Sequence, residues 1–584
     1  MKVVLTAINA KYIHSNLAVY SLKKYAECYK EHIEMAEYTI NQYVDEILMD
    51  LYKKNPDLLA ISCYIWNIDM VLEITSEIKK VLPQVKIWLG GPEVSYQVEE
   101  LFANHPEIDG VMMGEGEETF LELLGHYIED KNELESINGI AYQSPDGVKI
   151  NVPRQPMDLS DIPFPYDDFA LFEHKIIYYE TSRGCPFSCS YCLSSIEKGI
   201  RLRSLDLVKK ELQIFLDHRV PQVKFIDRTF NCNHDHAMAI WNYIMEHDNG
   251  VTNFHFEISA DLLNEEELSL LNQMRVGLVQ LEIGVQSTNP QTIKAINRRM
   301  DLEKLAYAVK RVQEGKNIHQ HLDLIAGLPF EDYDSFQKSF NDVYALEPNQ
   351  LQLGFLKVLK GSPMYGQQKE HDILYKGHAP YEVLATRWLP YEDVLKLKKV
   401  EDMVEVYYNS DQFANSLQFL MHHFDTPFDF YKSLGDYYEK HQVNGQQHAR
   451  ISRYHILLDF ITEEKPNLRE PLIELLVYDL YLRENLKSRP QFAKNQEEWK
   501  KTYHEFYKAM EEKNKVEEDC PLSGYGQYQA RQMARMTHIE YFSYDLQLLV
   551  IEGKEEKKNT HILFDYQKRN PLNGEAATVL LEIC

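Results

Sequence analysis

Two hydrophobic patterns alternate along much of the chain. Short apolar runs read as strands, and longer stretches with apolar residues at every third or fourth position read as helices. Near the N-terminus, Lys2–Ala7, Leu58–Ser62, Lys86–Leu89 and Gly110–Met113 have the look of short buried strands, and Met70–Val81 that of an amphipathic helix. This alternation predicts a doubly wound, parallel α/β sheet. Turn-forming segments follow three of the strands: NAKYIHSN at 9–16, GGPEVS at 90–95 and GEGEET at 114–119. In an open α/β sheet such turns, at the carboxyl ends of the strands, are where ligands bind.

A proline-rich stretch, VPRQPMDLSDIPFPY at 152–166, predicts an extended linker. Beyond it the alternation resumes in longer units. Six strands are expected: Ile176–Thr181, Gln222–Asp227, Phe254–Ser259, Gln280–Val285, His321–Ile325 and Leu351–Lys357. Such a series predicts a (β/α) barrel, complete or partial, with its active site at the carboxyl ends of the strands. The rest of the chain is helical in pattern, as in Tyr391–Tyr408. Near its end the runs Ile539–Ile551 and His561–Gln567 read as strands joined by a polar turn over Glu552–Thr560. The expected organisation is an N-terminal Rossmann-like domain over 1–145, a linker over 146–170, a barrel over 171–375 and a mainly helical region over 376–584.

Composition narrows the function classes. No apolar run reaches the roughly 20 residues of a membrane span, and the N-terminus lacks the apolar core of a signal peptide, so a cytoplasmic location is expected. A formal net charge of -28 argues against sequence-independent nucleic-acid binding. Of the eight cysteines, Cys28, Cys63, Cys232, Cys520 and Cys584 are scattered singly, which is no disulfide framework.

The other three stand together in RGCPFSCSYC, as Cys185, Cys189 and Cys192. A closed zinc site wants four ligands, and no fourth Cys or His follows at ligand spacing. Three thiolates suit a 4Fe–4S cluster that keeps one iron open to an outside ligand. The alternatives are a zinc knuckle and chance clustering.

The C-x3-C-x2-C spacing, with Tyr191 before the last cysteine, resembles the radical SAM superfamily. Four later segments are similar to that superfamily's strand ends: FIDRTFN at 225–231, FEIS at 256–259, LEIGVQS at 281–287 and DLIAGLPFED at 323–332. GSPMY at 361–365 is similar to the stretch that closes its barrel. The resemblance implies that Cys185, Cys189 and Cys192 hold the cluster. It also implies S-adenosylmethionine contacts from Tyr191, Asp227, Glu257, Glu282, Gly284, Gln286 and Gly327. Arg228 stands where the superfamily's cobalamin-associated members carry a second aspartate, so its role is open.

The N-terminal turns resemble a cobalamin-binding domain. They imply contacts from Ser62, Gly90, Gly91, Pro92, Glu93, Gly114, Glu115, Gly116 and Glu117, with His14 the histidine best placed by sequence. No D-x-H-x-x-G motif precedes residue 145. The whole is similar to a cobalamin-binding radical SAM family with a C-terminal domain of unknown function (DUF4080-like). This implies an enzyme that reductively cleaves S-adenosylmethionine and methylates an unactivated carbon of an unknown substrate. A low-potential flavodoxin- or ferredoxin-type electron donor would serve it. Radical cyclisation or rearrangement, tRNA methylthiolation and a non-catalytic cobalamin protein are the alternatives.

Overall fold

The computed structural model describes residues 1–196, 198–445, 448–513, 521–522 and 524–583; Cys520 and Cys584 lie outside the described residues. The chain forms two units, one made of Met1–Gln320, Ile325–Tyr333 and Phe355–Tyr391, the other of His321–Leu324, Asp334–Gly354 and Glu392–Cys584. Among the described residues no helix is long and apolar enough to cross a membrane.

The first unit begins with a seven-stranded sheet of β1 (Val3–Asn9), β2 (Ile33–Thr39), β3 (Leu58–Ser62), β4 (Lys86–Gly90), β5 (Gly110–Met112), β6 (Ile140–Ser144) and β7 (Gly147–Ile150). Their spatial order is β2-β1-β3-β4-β5-β6-β7. β1 to β5 are parallel, and β6 and β7 add an antiparallel hairpin.

β1 is apolar almost throughout, and because successive side chains point to opposite faces it is buried on both. Val4 and Ile8 enter one core with Ile47 and Leu51 of the helix Val44–Lys54 and Val71, Ile74 and Ile78 of the helix Ile68–Val81. Val3, Leu5 and Ala7 enter the other with Val19 of the helix Leu17–Tyr25 and Phe120, Leu123 and Leu124 of the helix Glu117–Glu129. The chain leaves β1 toward one edge and later returns to β3 on its other side. That reversal opens a crevice at the carboxyl ends of β1 and β3.

The proline-rich stretch is extended but packed. Met157, Leu159, Ile162 and Tyr166 are buried, Arg201 Nη1 donates to the Met157 carbonyl (2.7 Å) and the Ser204 N–H to Ser160 Oγ (3.0 Å). It is a strap rather than a free tether.

The barrel sheet has six strands, as expected. They are β8 (Ile177–Tyr179), β11 (Gln222–Phe225), β12 (Asn253–Ile258), β13 (Val279–Gln286), β14 (His319–Ala326) and β15 (Gln350–Phe355). β8, β11, β12 and β13 are successive parallel neighbours. Between β8 and β11 a ribbon of β9 (Ser182–Arg183) and β10 (Arg201–Leu202) pairs Arg201 with Arg183 and Leu202 with Ser182. This ribbon clamps the base of the loop that carries the three cysteines.

The second unit is mainly helical, with helices such as Ala414–Met421, Pro427–Lys440, Arg450–Glu464 and Arg469–Arg483 beside a three-stranded antiparallel sheet formed by 537–544, 557–569 and 576–581. Part of the run expected as a strand over 539–551 is a helix, Leu546–Glu552. Its start is capped by Asp545, which accepts from the Leu548 N–H (3.1 Å), and Gly553 ends it in the left-handed region. A short apolar run between such signals satisfies either period, and the caps decide. The expected turn over 552–560 is also shorter, because the second strand starts at Lys557.

Candidate active site

A cavity of about 830 Å³ opens within the first unit, walled by the loops after β1, β3, β4 and β5 on one side and by the ends of β8, β11 and β12 on the other. That volume is in the range of a cofactor site.

The three cysteines sit in the loop beyond β9. All three thiols are free; Cys185 and Cys189 are buried and Cys192 is half-buried. Backbone bonds hold the loop from outside. The Ser190 N–H donates to the Ile296 carbonyl (2.9 Å), and the Met364 N–H donates to the Ser190 carbonyl (2.8 Å). Asn297 Nδ2 donates to the Ser188 carbonyl (3.0 Å).

Arg298 stitches the loop to β13: Nη1 lies 3.9 Å from Cys189 Sγ and 3.3 Å from the Tyr191 hydroxyl, and Nη2 donates to the Gly284 carbonyl. Burial pushes the Cys189 thiol up, Arg298 opposes this, and the neighbouring Cys192 and Cys185 add to it. Cys185 Sγ is 3.7 Å from Thr229 Oγ1, just beyond β11. Three free thiols that feel one another in a clamped loop suit an iron–sulfur cluster.

The expected S-adenosylmethionine contacts divide. Glu257 lines the cavity. Its β13 neighbour in register, Glu282, is occupied by Lys224 (2.9 Å) and His255 (3.0 Å), which hold its carboxyl at about 2 against the cost of burial. Asp227 is turned inward, only 1% exposed. It accepts from the Thr181 N–H (3.1 Å), Thr181 Oγ1 (2.6 Å) and Ser182 Oγ (2.6 Å), which positions the start of the cysteine loop.

Gln286 is buried with φ of 71°, and its Oε1 has no hydrogen-bond partner among the described residues. An orphaned acceptor on a strained backbone at a strand's carboxyl end fits a ligand contact. The space beside Gly284 is filled by Gln286, and that beside Gly327 by Val383. These glycines admit protein neighbours there, a local reason different from the backbone approach expected of them.

The expected cobalamin contacts are nearly all at the cavity. Ser62, Gly90, Gly91, Pro92, Gly114 and Gly116 line it. Gly91 has φ of +111°, and a Cβ there would lie 2.5 Å from the Cys63 carbonyl oxygen, so only glycine fits this turn. Gly114 (φ +77°) has open space where a Cβ would be, so a ligand can lie directly on its backbone. Glu93 is absent from the cavity wall; its carboxylate accepts from the Tyr381 hydroxyl. His14 lines the cavity, and its Nδ1 shares a 2.6 Å hydrogen bond with the Tyr178 hydroxyl; burial lowers its pKa.

Glu115 and Glu117 are cavity residues already paired within the protein. Arg183 reaches Glu117 (2.6 Å), Glu115 (3.3 Å) and Glu180 (2.9 Å) at once, and Arg201 also binds Glu115. The residue two before Cys185 is thereby tied to the loop after β5. Glu180 lines the cavity, and burial pushes its pKa up to about 7 despite Arg183.

Sequence reading missed this network, as it missed Arg298 and the stacked pair Tyr64 and Trp66 (4.4 Å between rings) on the cavity wall. The one local signal was an arginine directly before the glycine of the cysteine loop.

Comparison with known proteins follows the same partition. The model of the B12 binding domain matches residues 3–124, that of the radical SAM superfamily 179–343, and that of a protein family of unknown function, DUF4080, 369–564. The chain is 27% identical over 351 residues to the cobalamin-dependent radical SAM methyltransferase TokK of Streptomyces tokunonensis, covering 54% of this chain and 49% of that one. It is 29% identical over 322 residues to the 2-(S-pantetheinyl)-carbapenam-3-carboxylate methyltransferase of Streptantibioticus cattleyicolor, covering 48% and 44%. The chain thus spans about half the length of these two relatives.

Among solved structures, the cobalamin-dependent S-adenosylmethionine radical enzyme OxsB matches with a TM-score of 0.56 at 17% identity, over 82% of this chain and 78% of that one. The radical S-adenosylmethionine methyltransferase TsrM of Kitasatospora setae matches with 0.53 at 18%, over 62% and 75%; these two likenesses show the fold. The cofactors that go with the matched domains are a 4Fe–4S cluster with S-adenosylmethionine, and cobalamin. The chain thus carries, in order, a B12-binding domain, a radical SAM domain and a DUF4080 domain.

Proposed function

We propose that the protein is a cobalamin-dependent radical SAM methyltransferase that methylates an unactivated carbon of a substrate held in the 830 Å³ cavity. One observation carries this reading. The glycine turns after β4 and β5 line the same cavity as Gly184, Leu193 and Ser194, which flank the three cysteines, so one substrate could meet both cofactor places. The bound groups would supply a reductively generated radical and a transferable methyl group.

The chain's own residues do the rest. Cys185, Cys189 and Cys192 hold the cluster, while Arg298 and the caged Asp227 fix their loop. Gln286 and Glu257 offer an acceptor and a carboxylate to S-adenosylmethionine. Gly91 and Gly114 shape the cobalamin bed, with Ser62, Gly90 and Pro92 around it. Arg183 locks the β5 loop to the cysteine loop, which keeps the two beds in one register. Tyr64 and Trp66 give the cavity an aromatic wall against water.

On this reading residues 1–145 serve cobalamin, 146–170 strap that domain down and 171–375 perform the radical step. Residues 376–584 carry no assigned role. A low-potential flavodoxin- or ferredoxin-type protein would supply electrons, and the cytoplasm suits an oxygen-labile cluster. Methylthiolation is disfavoured because the N-terminal domain has only the exposed Cys28 and the buried Cys63, and no second triplet.

The test is anaerobic reconstitution with iron, sulfide and cobalamin, followed by S-adenosylmethionine with a deuterated methyl group and a reductant in the presence of cell extract metabolites. A metabolite gaining the labelled methyl group supports the reading. Formation of 5′-deoxyadenosine with an isomerised or cyclised product and no label transfer would replace it.

A further inference from the structure

The cavity has four arginine or lysine side chains on its wall, and three are neutralised by the protein itself. Arg183 is held by Glu180, Glu117 and Glu115. Arg203 is held by Glu211, with Nε 2.9 Å from a carboxylate oxygen. Lys224 is held by Glu282 at 2.9 Å. Arg228 alone differs. It is exposed, and among the described residues no carboxylate oxygen lies within 4.0 Å of its guanidinium.

Its backbone, in contrast, is fixed on both sides. Asp227 is caged by Thr181 and Ser182, while Thr229 Oγ1 donates to the Arg228 carbonyl (2.7 Å) and lies 3.7 Å from Cys185 Sγ. A fixed stem beside the cysteine loop therefore carries a guanidinium that, among the described residues, no carboxylate neutralises. Its charge reaches the hydroxyl of Tyr64, where it opposes the rise that burial causes. The aromatic pair Tyr64 and Trp66 provides an apolar surface on the same cavity wall.

We propose that Arg228 is the anion-recognition residue of this cavity, and that the molecule methylated is a small organic acid whose carboxylate or phosphate it binds. Guanidinium is the side chain suited to both groups, because its planar fork meets two oxygens at once. A wall whose other cations are self-neutralised gives such an acid one charged anchor, which fixes its orientation for the carbon that reacts. The proposal rests on the reading of the cavity as the substrate site. The other source of a carboxylate there is S-adenosylmethionine itself, and the experiment separates the two.

The full chain, loaded anaerobically with cluster and cobalamin, is treated with phenylglyoxal, and modified arginines are counted by peptide mass spectrometry. Arg228 is expected to react faster than Arg183 and Arg203. Inorganic phosphate or acetate should slow its modification by roughly fivefold or more, as expected for a charge-assisted pair. S-adenosylmethionine should leave it within about twofold, and R228Q should bind S-adenosylmethionine within about threefold of the parent, because no charge-assisted bond to it is lost.

Protection by S-adenosylmethionine but not by its decarboxylated analogue, with a tenfold or larger loss of affinity in R228Q, would assign the anion to the cofactor and overturn the proposal. No protection by either phosphate or acetate would overturn it as well. Formation of 5′-deoxyadenosine is scored separately. Its absence with protection intact would sink the radical reading and leave the anion site standing.

Discussion

Replacing Arg183 with methionine removes a cation that serves three carboxylates while keeping most of the side chain's bulk. The lost pairs are with Glu117 at 2.6 Å, Glu180 at 2.9 Å and Glu115 at 3.3 Å, and the Arg183 side chain is 17% exposed. Arg201 still neutralises Glu115. Glu117, with its side chain 6% exposed, and the partly buried Glu180 are left without their ion partner. Breaking a buried ion pair on one side costs about 3–5 kcal/mol, and partial exposure places this case near 3.

The deficit must also depend on pH. Glu180 takes up its proton at about 7 in the native chain against an ordinary 4.5. The native state therefore holds more protons than the unfolded one between these values, and this group's contribution to stability falls as pH rises through that window. Without Arg183 the folded value moves higher still, and each added unit costs about 1.4 kcal/mol at alkaline pH. Urea unfolding of the parent and R183M at about pH 6 and about pH 8.5 should show a deficit that grows with pH. A deficit under about 0.5 kcal/mol at both values, the size of an exposed pair, would mean that Arg183 does not hold these carboxylates as a buried cation. So would one that shrinks as pH rises.

Other expectations test separate parts of the account. G91A forces a Cβ to 2.5 Å from the Cys63 carbonyl at a φ of +111°, so it should cost about 2 kcal/mol or more and lower the melting temperature. G114A enters open space and should cost only about 1 kcal/mol while weakening cobalamin binding in a spectroscopic titration. D227N turns an amide toward donors from Thr181 and Ser182; a loss of about 1–3 kcal/mol and a lower iron content after reconstitution are expected. Glu282, held at about 2 by His255 and Lys224, contributes stability that is complete above its ordinary 4.5 and lost as pH falls toward 2. E282Q should therefore flatten the acid limb of the stability–pH profile.

The sequence announced chemistry by residue type and spacing, and it was least informative about where side chains point. The C-x3-C-x2-C loop, the glycine turns and the six barrel strands were legible because each has a local pattern tied to a local constraint. β2 and the β6–β7 hairpin were not. Ile33–Thr39 mixes acidic residues into its alternation, and Gly147–Ile150 is exposed throughout, so neither offers the apolar run that marks a buried strand.

Glu93 and Asp227 lie in segments that resemble ligand-binding turns, yet Glu93 turns to Tyr381 and Asp227 to Thr181 and Ser182. Direction of that kind is set by partners hundreds of residues away for Glu93 and 46 away for Asp227. Arg183 reaches Glu117 across 66 residues for the same reason. No spacing rule within one segment reports such pairs. The helix Leu546–Glu552 teaches the smaller lesson, since Asp545 and Gly553 were visible as caps and outweigh a short apolar run.

The proposed chemistry requires that Cys185, Cys189 and Cys192 form a three-thiolate cluster site at which S-adenosylmethionine is cleaved. It is tested most directly by iron content and 5′-deoxyadenosine production in anaerobically reconstituted parent, C185A, C189A and C192A proteins. The parent should hold about four irons per chain at this site and form 5′-deoxyadenosine with a reductant, and each single variant should lose both. A C185A protein that keeps a full cluster and still cleaves S-adenosylmethionine would contradict it.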